Sequence, residues 1–131
     1  MYSDKLLARF LEPANIGDVE GVDAVGVEGN ITCGDVVHLA VKVEDGLITG
    51  ARFRAQGCAT AIAAADVCCE LVLGWTITAA QTLELAEISA ALDGIPEERE
   101  NCAAIGLGAL RSALEKIRSG SPVPEAAPQK V

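Results

Sequence analysis

The chain has 131 residues, half of them hydrophobic, with a formal net charge of −9 and five cysteines. That length is enough for one domain with its own core, and the hydrophobic share excludes disorder as the general state. The acidic balance argues against nucleic acid as a partner, and no apolar run is long enough to span a bilayer, so no membrane role is expected. The opening Met1-Tyr2-Ser3-Asp4-Lys5 lacks the features of a secretory signal, which makes a cytoplasmic, reducing location the expectation. In such a compartment cysteines serve as thiols or ligands rather than disulfides.

In chain order, Ser3 or Asp4 can cap a short helix through Leu11, with Leu6, Leu7 and Phe10 on its apolar side and Pro13 closing it. Gly21 to Asn30, with interleaved valines, reads as a weak strand. Val36 to Glu44 is stronger: Val37, Leu39, Val41 and Val43 alternate with His38, Ala40, Lys42 and Glu44, the period of a half-buried strand. Asp45-Gly46 is a hairpin turn signal. The returning strand, Leu47 to Ala55, is expected to place Leu47, Ala51 and Phe53 on one face. After Gly57 the period becomes helical. An Ala-rich helix is expected from Ala59 to Leu73, closed by Gly74, then a short helix capped by Thr76 or Thr78, and another from Glu84 to Leu92 ended by Asp93-Gly94. A long helix follows from about Asn101 to Ser119, with Ala103, Leu107, Leu110, Leu114 and Ile117 as its stripe. Residues 1–119 are expected to form the domain and 120–131, with three prolines, a flexible tail. Strands followed by helices predict an α+β fold: a three-stranded antiparallel sheet with helices packed on one face.

The chemistry lies where three cysteines fall. Cys33 sits in Thr32-Cys33-Gly34-Asp35 just before the best strand, and in extended chain Cys33 and Asp35 point the same way. Cys58 stands where a strand meets a helix, and Cys102 at the start of the last helix. A helix N-terminus favours thiolate, the form that binds soft metals and accepts sulfur. The plainer reading of any single cysteine is core filling, and no CxxC spacing argues otherwise. For Cys68 and Cys69, inside the Ala-rich helix, core packing is the expectation. Cys69 is eleven residues past Cys58, about 16 Å along a helix, too far for a shared site. His38, the only histidine, falls opposite its strand's apolar phase and is expected to face solvent or a partner. Glu97, Glu98 and Glu100 read as a solvated helix approach. One histidine and no obvious cleft motif leave no Ser–His–Asp or paired-carboxylate constellation to build.

At these residues the sequence resembles the U-type iron–sulfur scaffolds, IscU and the N-terminal domain of NifU. Tyr2-Ser3-Asp4-Lys5 is similar to the family's YS-x-K, Pro13-Ala14-Asn15-Ile16-Gly17 to its PRNVG, and Cys33-Gly34-Asp35 to its CGD. Phe53 through Ile62 resembles the stretch ending in GCGSAI, and Gly94-Ile95-Pro96 leading to Cys102 resembles GLPPEK-x-HCS. The resemblance covers about residues 2 to 118. It implies an IscU-like fold in which Cys33, Asp35, Cys58 and Cys102 hold a transient [2Fe–2S] cluster at one exposed end. Asp35 would be linked to cluster lability, and Cys102 would be the persulfide acceptor. The resemblance implies a carrier rather than an enzyme, with a cysteine desulfurase as sulfur donor and apo iron–sulfur proteins as recipients.

The departures are specific. Asn101 stands where the family has histidine before the last cysteine, and its expected role is to N-cap the helix. Arg99 replaces the family lysine. Ile95-Pro96-Glu97-Glu98-Arg99 loses the second proline of the LPPVK-type segment and gains two acids, which argues against recognition by an Hsp70-type chaperone. Two further readings stand beside the scaffold: a SufU-like sulfurtransferase partner of a desulfurase, with Zn²⁺ on the same four ligands, and a binding module whose cluster site has decayed.

Overall fold

The computed structural model describes residues 2–30 and 34–120. Cys33, and the expected tail beyond Gly120, lie outside the described residues. Helix α1 (Asp4–Leu11) is followed by strands β1 (Ala24–Asn30), β2 (Asp35–Glu44) and β3 (Leu47–Gln56), then helices α2 (Ala59–Leu71), α3 (Ile77–Gln81), α4 (Leu85–Ala91) and α5 (Glu100–Arg118). The strands form one antiparallel sheet in the order β1-β2-β3. Helices α2 and α5 pack on one face of it, and α1 packs on α2. This is the α+β arrangement that the sequence pattern predicts.

Three of the helix starts, those of α1, α3 and α4, are capped by side chains. Ser3 Oγ accepts from the Leu6 N–H at 3.0 Å and opens α1. Thr76, rather than Thr78, caps α3 by accepting from the Ala79 N–H at 3.1 Å. Glu84 and Glu87 form a reciprocal capping box at α4. The main packing of α1 is on α2, so it buries one narrow face. Leu6 is fully buried, whereas Leu7, expected on the apolar side, is 37% exposed.

The hairpin turns at Asp45 and Gly46, both at positive φ (53° and 78°). Four residues on, the expected face pattern breaks. Val43 pairs with Ile48 but Lys42 pairs with Gly50, so Thr49 is an extra residue in β3, a bulge. The bulge shifts the phase: Ile48, not Leu47, is buried, while Ala51 and Phe53 point inward as expected. The α2 end supports this irregular stretch. Gly74 N–H donates to the Ile48 carbonyl and Ile48 N–H to the Trp75 carbonyl, both at 2.8 Å. The pairing draws the chain off the helix axis, so α2 stops at Leu71 rather than Leu73.

The core is built from Val37, Leu39, Val41, Ile48 and Phe53 of the sheet against Ala-rich α2 and the Leu107, Leu110 and Leu114 stripe of α5. With few aromatics, tight packing comes from small residues on close backbones. A Cβ at Gly26 would overlap the Ala109 carbonyl of α5, and one at Gly106 would lie 3.0 Å from the Ala65 Cα of α2. Inside α2, fully buried Asp66 receives a hydrogen bond from Arg9 (2.8 Å) and another from the Asn15 backbone N–H (2.8 Å). The carboxylate is therefore paired, as a buried charge must be. It also explains Asn15: this residue pins the loop after α1, whose Asn15 carbonyl accepts from Phe53 N–H at 2.9 Å on β3.

Candidate metal centre

The β2–β3 register builds the first half of the site. Val36 pairs with Gln56, so the start of β2 lies beside the junction of β3 and α2. Asp35 there is only 3% exposed. Its Oδ1 accepts from the Cys58 backbone N–H at 3.0 Å, and its Oδ2 from the Cys58 thiol at 3.5 Å. Gly57 makes this approach feasible. A Cβ on it would stand 2.7 Å from the Asp35 carboxyl carbon. Cys58 is the N-cap residue of α2 and is partly exposed.

The packing of α5 against α2 completes the site. Cys102 lies in the first turn of α5, and the donor atoms of Asp35, Cys58 and Cys102 all fall within 4.8 Å of one another. Two soft sulfurs and one hard oxygen so close together suit a thiophilic metal ion or an iron–sulfur unit. Cys102 is buried, 2% exposed. Arg99 stands beside it. Its guanidinium hydrogen-bonds the Cys102 side chain, with Tyr2 and Cys58 close by. Tyr2 and Arg99 thus join the site's surroundings.

The expected cap is corrected here. A 3₁₀ turn, Glu97–Arg99, feeds directly into α5, the N-cap residue is Arg99, and Asn101 is an exposed residue of the first turn. The turn already supplies the helix entry, leaving Asn101 nothing to cap. Glu97, Glu98 and Glu100 are exposed as expected. Cys68 and Cys69 are fully buried in α2, and burial pushes the Cys68 thiol up to about 12; both fill core and neither belongs to the site. His38 lies on the sheet face opposite the helices, half-buried, with its pKa lowered by desolvation.

Sequence comparisons give the family. Residues 1–121 match the family model described as the NifU-like N terminal domain. The chain belongs to this family. It is 38% identical over 114 residues to the iron-sulfur cluster assembly scaffold protein IscU 1 of Archaeoglobus fulgidus, covering 87% of this chain and 74% of that one. It is 33% identical over 133 residues to the scaffold protein IscU of Aquifex aeolicus, covering 95% and 85%. The nitrogen fixation protein NifU of Nostoc is 36% identical over 125 residues, and there the match spans 89% of this chain and 42% of the longer protein. Among solved structures, the N-terminal NifU-like protein of Brucella abortus superposes with a TM-score of 0.71 at 20% identity, over 90% of this chain and 94% of that one. A candidate SUF-system scaffold from Fervidobacterium islandicum gives 0.74 at 23% identity, over 86% and 96%. Both share the fold.

Within this NifU-like domain, sequence reasoning did not find Asp66, whose only signal is a lone acid inside an Ala-rich helix. The contact of Gly57 with Asp35 was likewise unmarked, because glycine before a helix has many causes.

Proposed function

We propose that this chain is a scaffold on which a transient [2Fe–2S] cluster is assembled and from which it is passed to recipient apo proteins. A cysteine desulfurase supplies the sulfur. The observation that carries this reading is the convergence of Asp35, Cys58 and Cys102, with family membership beside it. Cys33 is proposed as the fourth ligand and Cys102 as the cysteine that carries sulfur to the nascent cluster. The chain acts as a carrier: its residues hold, orient and release cargo.

The ligand set suits a temporary occupant. Thiolates bind iron strongly, whereas a carboxylate is the harder and weaker partner in an iron–sulfur unit. Asp35 is additionally engaged through Oδ1 with the Cys58 N–H. That bond orients the carboxylate with Oδ2 toward the sulfurs and offers it a resting state when cargo leaves. Arg99 opposes the net negative charge that bound sulfide and thiolates bring.

The same compact donors would also suit tetrahedral Zn²⁺ in a sulfurtransferase. Anaerobic reconstitution with iron, cysteine and a desulfurase separates the two. The scaffold reading expects a labile visible chromophore with about two irons per cluster, absent in Cys58→Ala. A colourless protein holding one tight zinc would replace it with the sulfurtransferase reading, and no metal of either kind would favour the decayed module.

A further inference from the structure

The opening Tyr2-Ser3-Asp4-Lys5 supplies no ligand, yet Tyr2, Ser3 and Lys5 all meet the segment that leads to Cys102. The Ser3 hydroxyl makes two bonds. It accepts from the Leu6 N–H at the head of α1 and donates to the Leu92 carbonyl at the end of α4. Leu92 is the C-cap residue of α4, and a carbonyl at a helix end has no partner inside its own helix. Beyond it Asp93 and Gly94 reverse the chain at positive φ (58° and 104°), with the Gly94 N–H on the Ser89 carbonyl at 2.8 Å. Tyr2 and Ser3 line one cleft together with Asp93, Gly94, Ile95 and Pro96. Lys5 lies 3.6 Å from Asp93, an exposed pair that contributes little by itself. From Pro96 the chain runs directly into the Glu97–Arg99 turn and α5. There Tyr2 lies close to Arg99, which hydrogen-bonds the Cys102 side chain.

We propose that Ser3 is a positioning residue for the metal centre: its one hydroxyl joins the head of α1 to the end of α4 and so holds the turn from which Arg99 and Cys102 reach the site. The inference rests on reading Asp35, Cys58 and Cys102 as one site, and it adds what keeps the third member in place. Asp35 and Cys58 are fixed to each other by the bond from the Cys58 N–H to Asp35 Oδ1 at the sheet edge of α2. Cys102 stands instead in the first turn of α5, and a helix end opens more readily than a helix middle. Two supports hold that end. One is the packing of α5 on α2. The other runs through Ser3 to α1, which is itself anchored to α2 by the bond from Arg9 to buried Asp66 at 2.8 Å. Because the hydroxyl serves two helix ends, a substitution that keeps the α1 cap and removes the donated bond separates positioning from folding.

The test is alkylation of the metal-free full chain by iodoacetamide, each cysteine being followed by peptide mass spectrometry. Ser3→Asp keeps an N-cap acceptor for α1 but, as a carboxylate, has no proton to donate to Leu92. It should speed modification of Cys102 by about five- to tenfold, the effect of losing one hydrogen bond at a helix end, while buried Cys68 and Cys69 stay protected in α2. Ser3→Thr keeps both acceptor and donor and should return Cys102 to the wild-type rate. Cobalt(II) alone gives a second readout: its thiolate charge-transfer absorption should be weaker on Ser3→Asp than on the wild type or Ser3→Thr. A wild-type rate at Cys102 in Ser3→Asp, or unchanged cobalt absorption, overturns the proposal, since Ser3 would then serve α1 alone. Faster modification of Cys68 and Cys69 along with Cys102 also overturns it, because Ser3 would then support the whole fold. Alkylation needs no metal, so the two readings fail separately. The Ser3 effect in a chain that forms no cluster removes the scaffold reading alone, and cluster formation without the Ser3 effect removes the positioning role alone.

Discussion

Replacing Gly57 by alanine tests how the fold and the site are joined. The new Cβ would lie 2.7 Å from Asp35 Cγ and 3.0 Å from Asp35 Cβ, against an ordinary carbon–carbon contact of about 3.5–4.0 Å. The backbone there has φ of 156°, which glycine adopts more readily than alanine. Overpacking and backbone strain together amount to about 2–4 kcal/mol. For a domain of this size that lowers Tm by roughly 10 °C. If the carboxylate moves aside instead, the Cys58 N–H loses its acceptor and the three donors no longer converge. Thermal unfolding followed by circular dichroism reads the first effect, and iron content after anaerobic reconstitution the second. Gly46→Ala is the control: it too has positive φ, 78°, but open space around it, so it should cost stability and leave iron loading intact. Unchanged Tm and iron loading in Gly57→Ala would refute the contact between Gly57 and Asp35.

Three further outcomes are expected. Ile48→Ala should cost about 2–4 kcal/mol in denaturant unfolding and Leu47→Ala less than about 1; the reverse order would remove the bulge at Thr49. Iodoacetamide at pH 8 should modify Cys58 while sparing Cys68 and Cys69 in the native protein, because burial raises both thiols; equal modification of all three by mass spectrometry would mean that α2 is open. The hydrogen bond from Arg9 lowers the Glu70 pKa from its ordinary 4.5. A depressed folded pKa stabilises above the unfolded value and is lost as pH falls through the folded one. Wild type should therefore exceed Glu70→Gln in stability at pH 6, by under about 1 kcal/mol since Glu70 is half-exposed, with the gap closing below pH 4.5. A gap that widens on acidification would contradict the pairing.

The hairpin and the long helix were legible because local signals fix them: strict alternation in β2, Asp45-Gly46 between strands, and leucines at helical spacing in α5. What the alternation could not reveal is Thr49. An unbroken hairpin would set Asp35 across from Gln56, whereas the bulge moves the register one residue so that Val36 takes Gln56 and Asp35 reaches Gly57 and Cys58. The convergence of Asp35 with Cys58 thus depends on a bulge far along the strand, supported by the long-range pairing of Ile48 with Gly74 and Trp75. Asp35, Cys58 and Cys102, which the structure brings together, were readable as residue types at element junctions and as family motifs. Their meeting depends on this register and on small residues such as Gly106 and Ala65 that let α5 close on α2. Asn101 misled because a favourable cap residue near a helix start looks the same in sequence whether it stands at the cap or two residues past it.

The most direct test of the central claim is transfer. Protein reconstituted anaerobically is mixed with an apo ferredoxin, and the ferredoxin's circular dichroism signal is followed against time. The account predicts that the cluster moves to the ferredoxin faster than it decays on the chain alone, and that Asp35→Ala slows its departure. A chain that stays colourless, or a cluster that remains bound in the presence of the acceptor, would contradict it.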